Sequence, residues 1–107
     1  MEALIFYKKE FENIINNLVD ILFDKEYFGF EDYAVEYTEK IYDFIEDNIA
    51  KPISRSTPQH FQKYGKKFIR YKANNHTFWY IFFDQRGNQF LINYILNNHS
   101  QDFPDLI

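Results

Sequence analysis

The sequence predicts a single α+β domain, in which a pair of helices packs on a small antiparallel sheet. Its 107 residues fit one domain with one hydrophobic core. The hydrophobic pattern changes midway along the chain from helical spacing to strand-like alternation. The net charge reverses at the same place, from −9 over residues 1–50 to +7 over residues 51–100. We therefore expect the order β-α-α-β-β-β over residues 1–107, with acidic helices and a basic sheet.

The first half of the chain predicts one short strand and a helical hairpin. Residues 3–7 form a short apolar run, which is typical of a strand. Apolar residues then recur with helical spacing in two segments, separated by a tight connection around residues 28–30. They are Phe11, Ile14, Ile15, Leu18, Val19 and Leu22 in the first helix, and Ala34, Tyr37, Ile41 and Ile45 in the second. The second helix is expected to end before Lys51-Pro52, because a residue preceding proline disfavours the α conformation.

The second half predicts a polar connection followed by three strands. Residues 53–65 are polar and include a segment, Pro58–Lys63, that fits one turn of helix. Strands are expected over residues 66–72, 77–83 and 89–96, with turns at residues 73–76 and 84–88. The middle run, Thr77–Phe83, is apolar at every position apart from its first, so it is the predicted central strand. Trp79 and Tyr80 are accordingly expected in the core.

Alternation along the outer two of these strands predicts which side chains share a face. Arg70 and Lys72 fall on one face with Phe68, while Lys67 falls on the other. In the last strand, one unbroken alternation places four residues together opposite another four. The first set is Phe90, Ile92, Tyr94 and Leu96, and the second is Gln89, Leu91, Asn93 and Ile95.

Composition excludes several classes of protein. The chain has no cysteine, so neither disulfides nor thiolate chemistry is available. No apolar run approaches the length of a membrane span, and no signal peptide is recognisable at the N-terminus, so we expect a cytoplasmic protein without membrane contact. The three histidines lack the spacing of metal ligands, and no nucleotide-binding motif is present. Neither a metal nor a cofactor is expected.

Three stretches, taken with this order of elements, resemble the RelE/ParE superfamily of toxins from type II toxin–antitoxin systems. They are Gly65–Tyr71, Trp79–Phe83 and Phe90–His99, which are similar to the family's basic second strand, apolar third strand and polar-ended fourth strand. The resemblance implies an antitoxin protein as partner. It also implies either a ribosome-dependent messenger-RNA endonuclease, as in the RelE-like branch, or a non-catalytic inhibitor of DNA gyrase, as in the ParE-like branch. The chain departs from the family in three places, namely its acidic pI of about 5.3, the lack of an arginine before Trp79, and a last strand that ends in residues 97–99, Asn-Asn-His, and not in a run of arginines.

The resemblance also suggests which residues would act on RNA. Cleavage of RNA without a metal needs a base, a cation beside the phosphate and an acid. His99 follows the last strand, where some members of the family carry a histidine, and Arg70 is a suitable phosphate ligand. We expect these two as catalytic residues. The residues expected to bind RNA or the antitoxin are Lys66, Lys67, Lys72, Arg86 and Asn98.

Three functions therefore remain open at the level of sequence. The first is a messenger-RNA endonuclease toxin, and the second is a non-catalytic toxin or protein-binding module of the same fold. The third is an unrelated α+β domain whose aromatic sheet binds a partner or forms a homodimer, with the oppositely charged halves pairing head to tail.

Overall fold

The computed structural model describes residues 2–24, 31–73 and 75–98 and confirms the α+β class. Five strands form one sheet in the order β1-β5-β4-β3-β2. The elements are β1 (Leu4–Tyr7), α1 (Lys9–Asp24), α2 (Glu31–Asn48), β2 (Arg55–Ser56), a 3₁₀ helix (Gln59–Tyr64), β3 (Lys67–Lys72), β4 (Phe78–Arg86) and β5 (Gln89–Asn97). The predicted connection between the helices, at residues 28–30, lies outside the described residues.

The sheet is mixed, so the prediction of an antiparallel sheet is wrong at one pairing. β1 runs parallel to β5, in a register from Leu4↔Gln89 to Tyr7↔Ile92. After β1 the chain forms both helices and then the strands β2 to β5, which pair antiparallel in sequence order. The last of these strands, β5, lies beside β1. A parallel pair requires such a long crossover connection. The two-residue strand β2, within the predicted polar connection, was also not predicted.

The sheet is covered on both faces, and each face has its own hydrophobic cluster. On the helix face, Ile81 and Phe83 of β4 pack with residues of α1 and α2 such as Phe11 and Ile45. The opposite side, which we call the second face, carries a smaller cluster capped by Phe61 of the 3₁₀ helix. Its buried members are Phe61, Phe68, Tyr80, Phe82 and Leu96. The prediction of a central strand with a buried Trp79 and Tyr80 is confirmed, although the strand runs over Phe78–Arg86 and not over Thr77–Phe83.

A β-bulge in β5 breaks the alternation that the sequence predicted for this strand. Phe82 pairs with Tyr94 but Phe83 pairs with Ile92, so Asn93 is an extra residue. Ile92 consequently packs in the helix-face cluster, whereas Tyr94 packs against the second-face cluster. One extra residue reverses the faces of all that follow, because the side-chain period of a strand is two.

Asp84 fixes the start of β3 to the bulge. One carboxylate oxygen of Asp84 accepts a hydrogen bond from the backbone N–H of Lys66, and the other accepts one from the Asn93 amide, each at 3.0 Å. Asp84 is thus part of β4, which continues to Arg86. The predicted turn over residues 84–88 is therefore too long, and Gly87 and Asn88 alone join the two strands.

The helices end and dock largely as their pattern predicts. α2 ends at Asn48, three residues before Lys51, and the Asn48 side-chain amide donates to the Phe44 carbonyl oxygen at 2.9 Å. The Trp79 indole N–H donates to the Tyr37 hydroxyl at 2.9 Å, which ties α2 to β4. The 3₁₀ helix begins one residue later than expected, with Pro58 preceding it.

Stability is expected to fall at alkaline pH because of Tyr7, a partly buried tyrosine on the helix face. Burial, with a contribution from Glu46, raises the pKa of Tyr7 well above its ordinary value of 10.0. Its hydroxyl is buried and has no hydrogen-bond partner among the described residues. Folding therefore favours the neutral phenol, so stability is full below pH 10 and decreases as the pH rises above that value.

Urea unfolding at pH 8 and at pH 11 tests this expectation. Tyr7→Phe should unfold near the wild-type urea concentration at pH 8, because it removes only an unsatisfied hydroxyl. At pH 11 the variant should be more stable than the wild type. An equal alkaline loss in both proteins would show that Tyr7 does not contribute to it.

Candidate functional site

The basic residues of β3 divide between the two faces of the sheet, as their alternation predicts. Phe68 is buried in the second-face cluster and Ile69 in the helix-face cluster. Arg70 and Lys72 therefore share the second face with Phe68, whereas Lys67 lies on the helix side. All three cationic side chains are exposed.

Arg70 is held against an aromatic ring and still faces solvent. Its guanidinium carbon lies 4.9 Å from the centroid of the Phe78 ring on the neighbouring strand. Such a cation–π contact orients the planar group without using its N–H donors. Lys72 pairs with Phe78 in the ladder, so both cations lie at the same end of the sheet. We call Arg70, Lys72 and Phe78 the Arg70 surface.

Asn98 lies at this end too, but its side chain has a structural task. Its Oδ1 accepts a hydrogen bond from the Phe78 N–H at 2.9 Å, and its Nδ2 donates to the His76 carbonyl oxygen at 3.0 Å. The Asn98 backbone N–H also donates to the Phe78 carbonyl oxygen at 3.1 Å. The amide expected to contact RNA thus holds the start of β4 in place. His99 follows directly in the chain and lies outside the described residues, so its role stays a prediction.

The other predicted binding residues lie at the far end of the sheet. Lys67 begins β3 and Lys66 precedes it, so both lie roughly 10–20 Å along the chain from Arg70 and Lys72 at about 3.3 Å per residue. The Lys67 ammonium group contacts the Gln85 side-chain oxygen at 3.4 Å. Arg86 ends β4 beside a depression of about 310 Å³. The structure therefore brings together Arg70, Lys72 and Asn98 and separates them from the other three.

Charge is distributed unevenly across the sheet. Within the described residues, no carboxylate forms an ion pair with the cationic side chains of β3. The ion pair that these residues do contain joins Lys40 to Glu36 on α2, at 3.8 Å. Asp84 is the one acidic residue between positions 51 and 100, and both of its oxygens accept hydrogen bonds. Most acidic residues belong to the segments of the two helices. The second face therefore presents positive charge that no described carboxylate pairs with, and the acidic helices lie behind the sheet.

An aromatic pair on the second face was not predicted as part of a site. The rings of Tyr64 and Tyr94 stack with centroids 4.0 Å apart and planes 8° apart, and both side chains are half-buried. The Lys63 ammonium group lies 5.0 Å from the Tyr64 ring centroid. Tyr94 pairs with Phe82, four residues from Phe78, so this pair lies roughly 13 Å along the sheet from the Arg70 surface. In the sequence, only the three-residue spacing of Phe61 and Tyr64 indicated that these two aromatic side chains share a face of a helical turn.

The described parts of the helices contain no stretch with the length and apolarity of a membrane-crossing helix. Comparison of the chain with protein-family models, with curated proteins and with solved structures finds no match.

Proposed function

We propose that this protein is the toxin of a toxin–antitoxin module and cleaves messenger RNA at the ribosome through its second face. The proposal includes a RelE/ParE-like fold and an antitoxin that covers this face. The resemblance of Gly65–Tyr71 and Phe90–His99 to the family supports it. The observation that carries it is the Arg70 guanidinium, which is exposed, oriented by Phe78 and free of any described carboxylate partner.

The second face offers both kinds of contact that single-stranded RNA requires. Arginine binds phosphate through two parallel N–H donors, and Lys72 adds a second positive charge beside it. The half-buried rings of Phe78 and Tyr94 each have one face against a neighbouring side chain, and their remaining exposed surface can stack on bases. Such stacking contributes about 1–3 kcal/mol per base. The acidic helices lie behind the sheet and repel a polyanion from that side. RNA would therefore bind the second face and not the helices.

Cleavage requires a proton acceptor near the bound phosphate, and the resemblance assigns this role to His99. The 2′-hydroxyl loses its proton to the imidazole, and the 2′-oxygen attacks the adjacent phosphorus. The 5′-oxygen then leaves and takes up a proton from water, which gives a 2′,3′-cyclic phosphate and a free 5′-hydroxyl. Arg70 stabilises the charge that builds up on the phosphoryl oxygens. Imidazole suits this transfer because it titrates near neutral pH.

The non-catalytic alternative also has an observation in its favour. Both functional groups of the Asn98 amide are engaged with Phe78 and His76, so this predicted RNA contact serves the fold. A protein partner with an acidic segment would use the Arg70 surface equally well. Inhibition of gyrase or simple partner binding would then replace RNA cleavage.

Arg70→Ala is expected to abolish growth arrest when the protein is expressed without its antitoxin. The same variant should bind single-stranded RNA roughly 10–100-fold more weakly, since a charge-assisted hydrogen bond to phosphate is lost. Plating efficiency and fluorescence anisotropy with a labelled RNA oligonucleotide measure the two effects. Lys51→Ala is the control, because it removes one exposed positive charge just after α2, where the Lys51 ammonium group donates to the Asn48 side-chain oxygen at 3.2 Å.

His99→Ala separates the candidate functions. An RNA endonuclease should lose cleavage of messenger RNA in this variant and keep most of its RNA affinity. Arrest that persists in His99→Ala and is accompanied by DNA damage would support the gyrase reading. Growth unaffected by the wild-type protein would refute a toxin of either kind.

A further inference from the structure

The outer edge of β1 presents backbone groups that pair with no strand of the described residues. The N–H groups of Leu4 and Lys8 donate to carbonyl oxygens of Asn88 and Ile92, so these residues direct their backbone towards β5. The alternation of a strand then directs the N–H and C=O groups of Ile5 and Tyr7 away from the sheet. In the described part of the chain no strand pairs with this edge. Such an edge is a template for a further strand.

An exposed apolar strip accompanies this edge on the second face. Leu4 and Phe6 of β1 are 47% and 53% exposed, and Leu91, the β5 partner of Phe6, is 38% exposed. No proline or charged residue interrupts β1, although these commonly protect an edge strand from pairing. Charges of opposite sign stand at its two ends, with Glu2 before the strand and Lys8 after it.

We propose that a second copy of this chain pairs with β1 antiparallel, about a two-fold axis at Ile5. In this register Ile5 faces Ile5 of the other copy in a hydrogen-bonded pair, as the outward direction of its backbone requires. Leu4 then lies opposite Phe6 of the other copy, in the closer kind of pair. Glu2 lies opposite Lys8 of the other copy. The symmetry produces each of these contacts twice.

The neighbouring register lacks the two charge pairs. Pairing Ile5 with Tyr7 also satisfies the outward backbone groups, and it places Phe6 opposite Phe6. It leaves Glu2 without a partner on the strand, because Glu10, the residue that would align with it, belongs to α1. Opposite charges directly across a strand pair stabilise it, and this register forgoes that gain. Hydrogen bonding, apolar contact and charge therefore all favour the register centred on Ile5 over this neighbour.

The resulting dimer differs from the head-to-tail pairing of charged halves that the sequence suggested. Its interface is isologous and extends the sheet to ten strands. Backbone hydrogen bonds join the two copies, and the ion pairs across the interface come from Glu2 and Lys8. One short strand from each copy buries less surface than a standard stable interface. A reversible dimer weakened by salt is expected, since its ion pairs are exposed.

Charge reversal at the two ends of the strand tests the dimer and its register together. Sedimentation velocity over a hundredfold concentration range should show that wild type associates. Glu2→Lys and Lys8→Glu should each weaken the dimer about tenfold, because both symmetric pairs become repulsive. The Glu2→Lys/Lys8→Glu double variant should regain wild-type association, and an equimolar mixture of the two single variants should form a heterodimer. Lys51→Glu is the control for Lys8→Glu, since it changes the net charge by the same amount.

Other outcomes would overturn the proposal. A wild-type monomer at every concentration excludes the second copy. Protection of the Ile5 and Tyr7 amides from hydrogen exchange in that monomer would show that another segment of the chain covers the edge. A dimer indifferent to all the charge reversals lies elsewhere on the surface. Unchanged thermal unfolding of each variant rules out misfolding, as expected for exposed side chains.

Discussion

Replacing Phe82 by alanine is expected to lower the free energy of unfolding by about 3–5 kcal/mol, as for other buried phenylalanines. Phe82 is fully buried at the centre of the second-face cluster. Its ring lies 6.0 Å from that of Phe61, 5.8 Å from that of Phe68 and 5.7 Å from that of Tyr64, centroid to centroid. Truncation therefore leaves a cavity between the 3₁₀ helix and the sheet. The surrounding side chains cannot fill this cavity unless a strand moves. Urea unfolding followed by tryptophan fluorescence measures the loss.

Phe6→Ala provides the matched control for this measurement. It is the same chemical change on the same face of the sheet, but about half of the Phe6 side chain is already in water. A loss of about 1 kcal/mol or less is expected, since little apolar surface is newly exposed. Equal losses at the two positions would show that the second-face cluster is not a core. Phe82→Ala should also weaken RNA binding if Tyr64 and Tyr94 form part of the proposed surface.

Gly65→Ala is expected to destabilise the fold by about 3 kcal/mol or more, a large effect for one methyl group. Gly65 adopts φ = 144°, a conformation that side-chain-bearing residues rarely take. A Cβ atom there would lie 2.8 Å from both the backbone nitrogen and the backbone oxygen of Phe83. These are backbone atoms of the central strand beside the bulge, so they cannot move aside as a flexible side chain would. The same urea titration measures this effect.

Gly87→Ala separates backbone conformation from steric contact. Gly87 also has a positive φ, of 60°, but a Cβ atom there would meet nothing within 4 Å. About 1 kcal/mol is expected at this position, the cost of the left-handed conformation by itself. A Gly65→Ala protein as stable as Gly87→Ala would refute the close approach of Gly65 to Phe83.

The elements of the fold were predictable from the sequence where one local period governs a segment. The apolar spacing from Phe11 to Leu18 gave a helix, and the run Thr77–Phe83 gave the central strand. The turn over residues 84–88 was too long because the carboxylate of Asp84 is held by Lys66 and Asn93. These residues are 18 and 9 positions away in the chain. No local pattern carries a hydrogen bond of that kind.

The candidate site was predictable only in part, for the same reason. Alternation placed Arg70 and Lys72 on one face, and the structure adds Phe78 beneath the guanidinium. In the structure, Lys66, Lys67 and Arg86 lie at the other end of the sheet. Cationic side chains come together only where their positions along neighbouring strands coincide, whatever their charge. The stacked pair of Tyr64 and Tyr94 joins residues 30 positions apart in the sequence. Such a pair is visible only once the 3₁₀ helix lies on the sheet.

The sequence by itself determined the α+β class, the helical and strand segments, and the separation of acidic from basic residues. These follow from periodicity and composition, which are local properties of the chain. The tertiary structure alone decided the parallel pairing of β1 with β5, the face reversal at Asn93 and the occupation of the Asn98 amide. Each of these depends on hydrogen bonds between residues distant in sequence, for which neighbouring residues provide no signal. The exposed edge of β1 became visible for the same reason, because a strand is an edge only relative to the rest of its sheet.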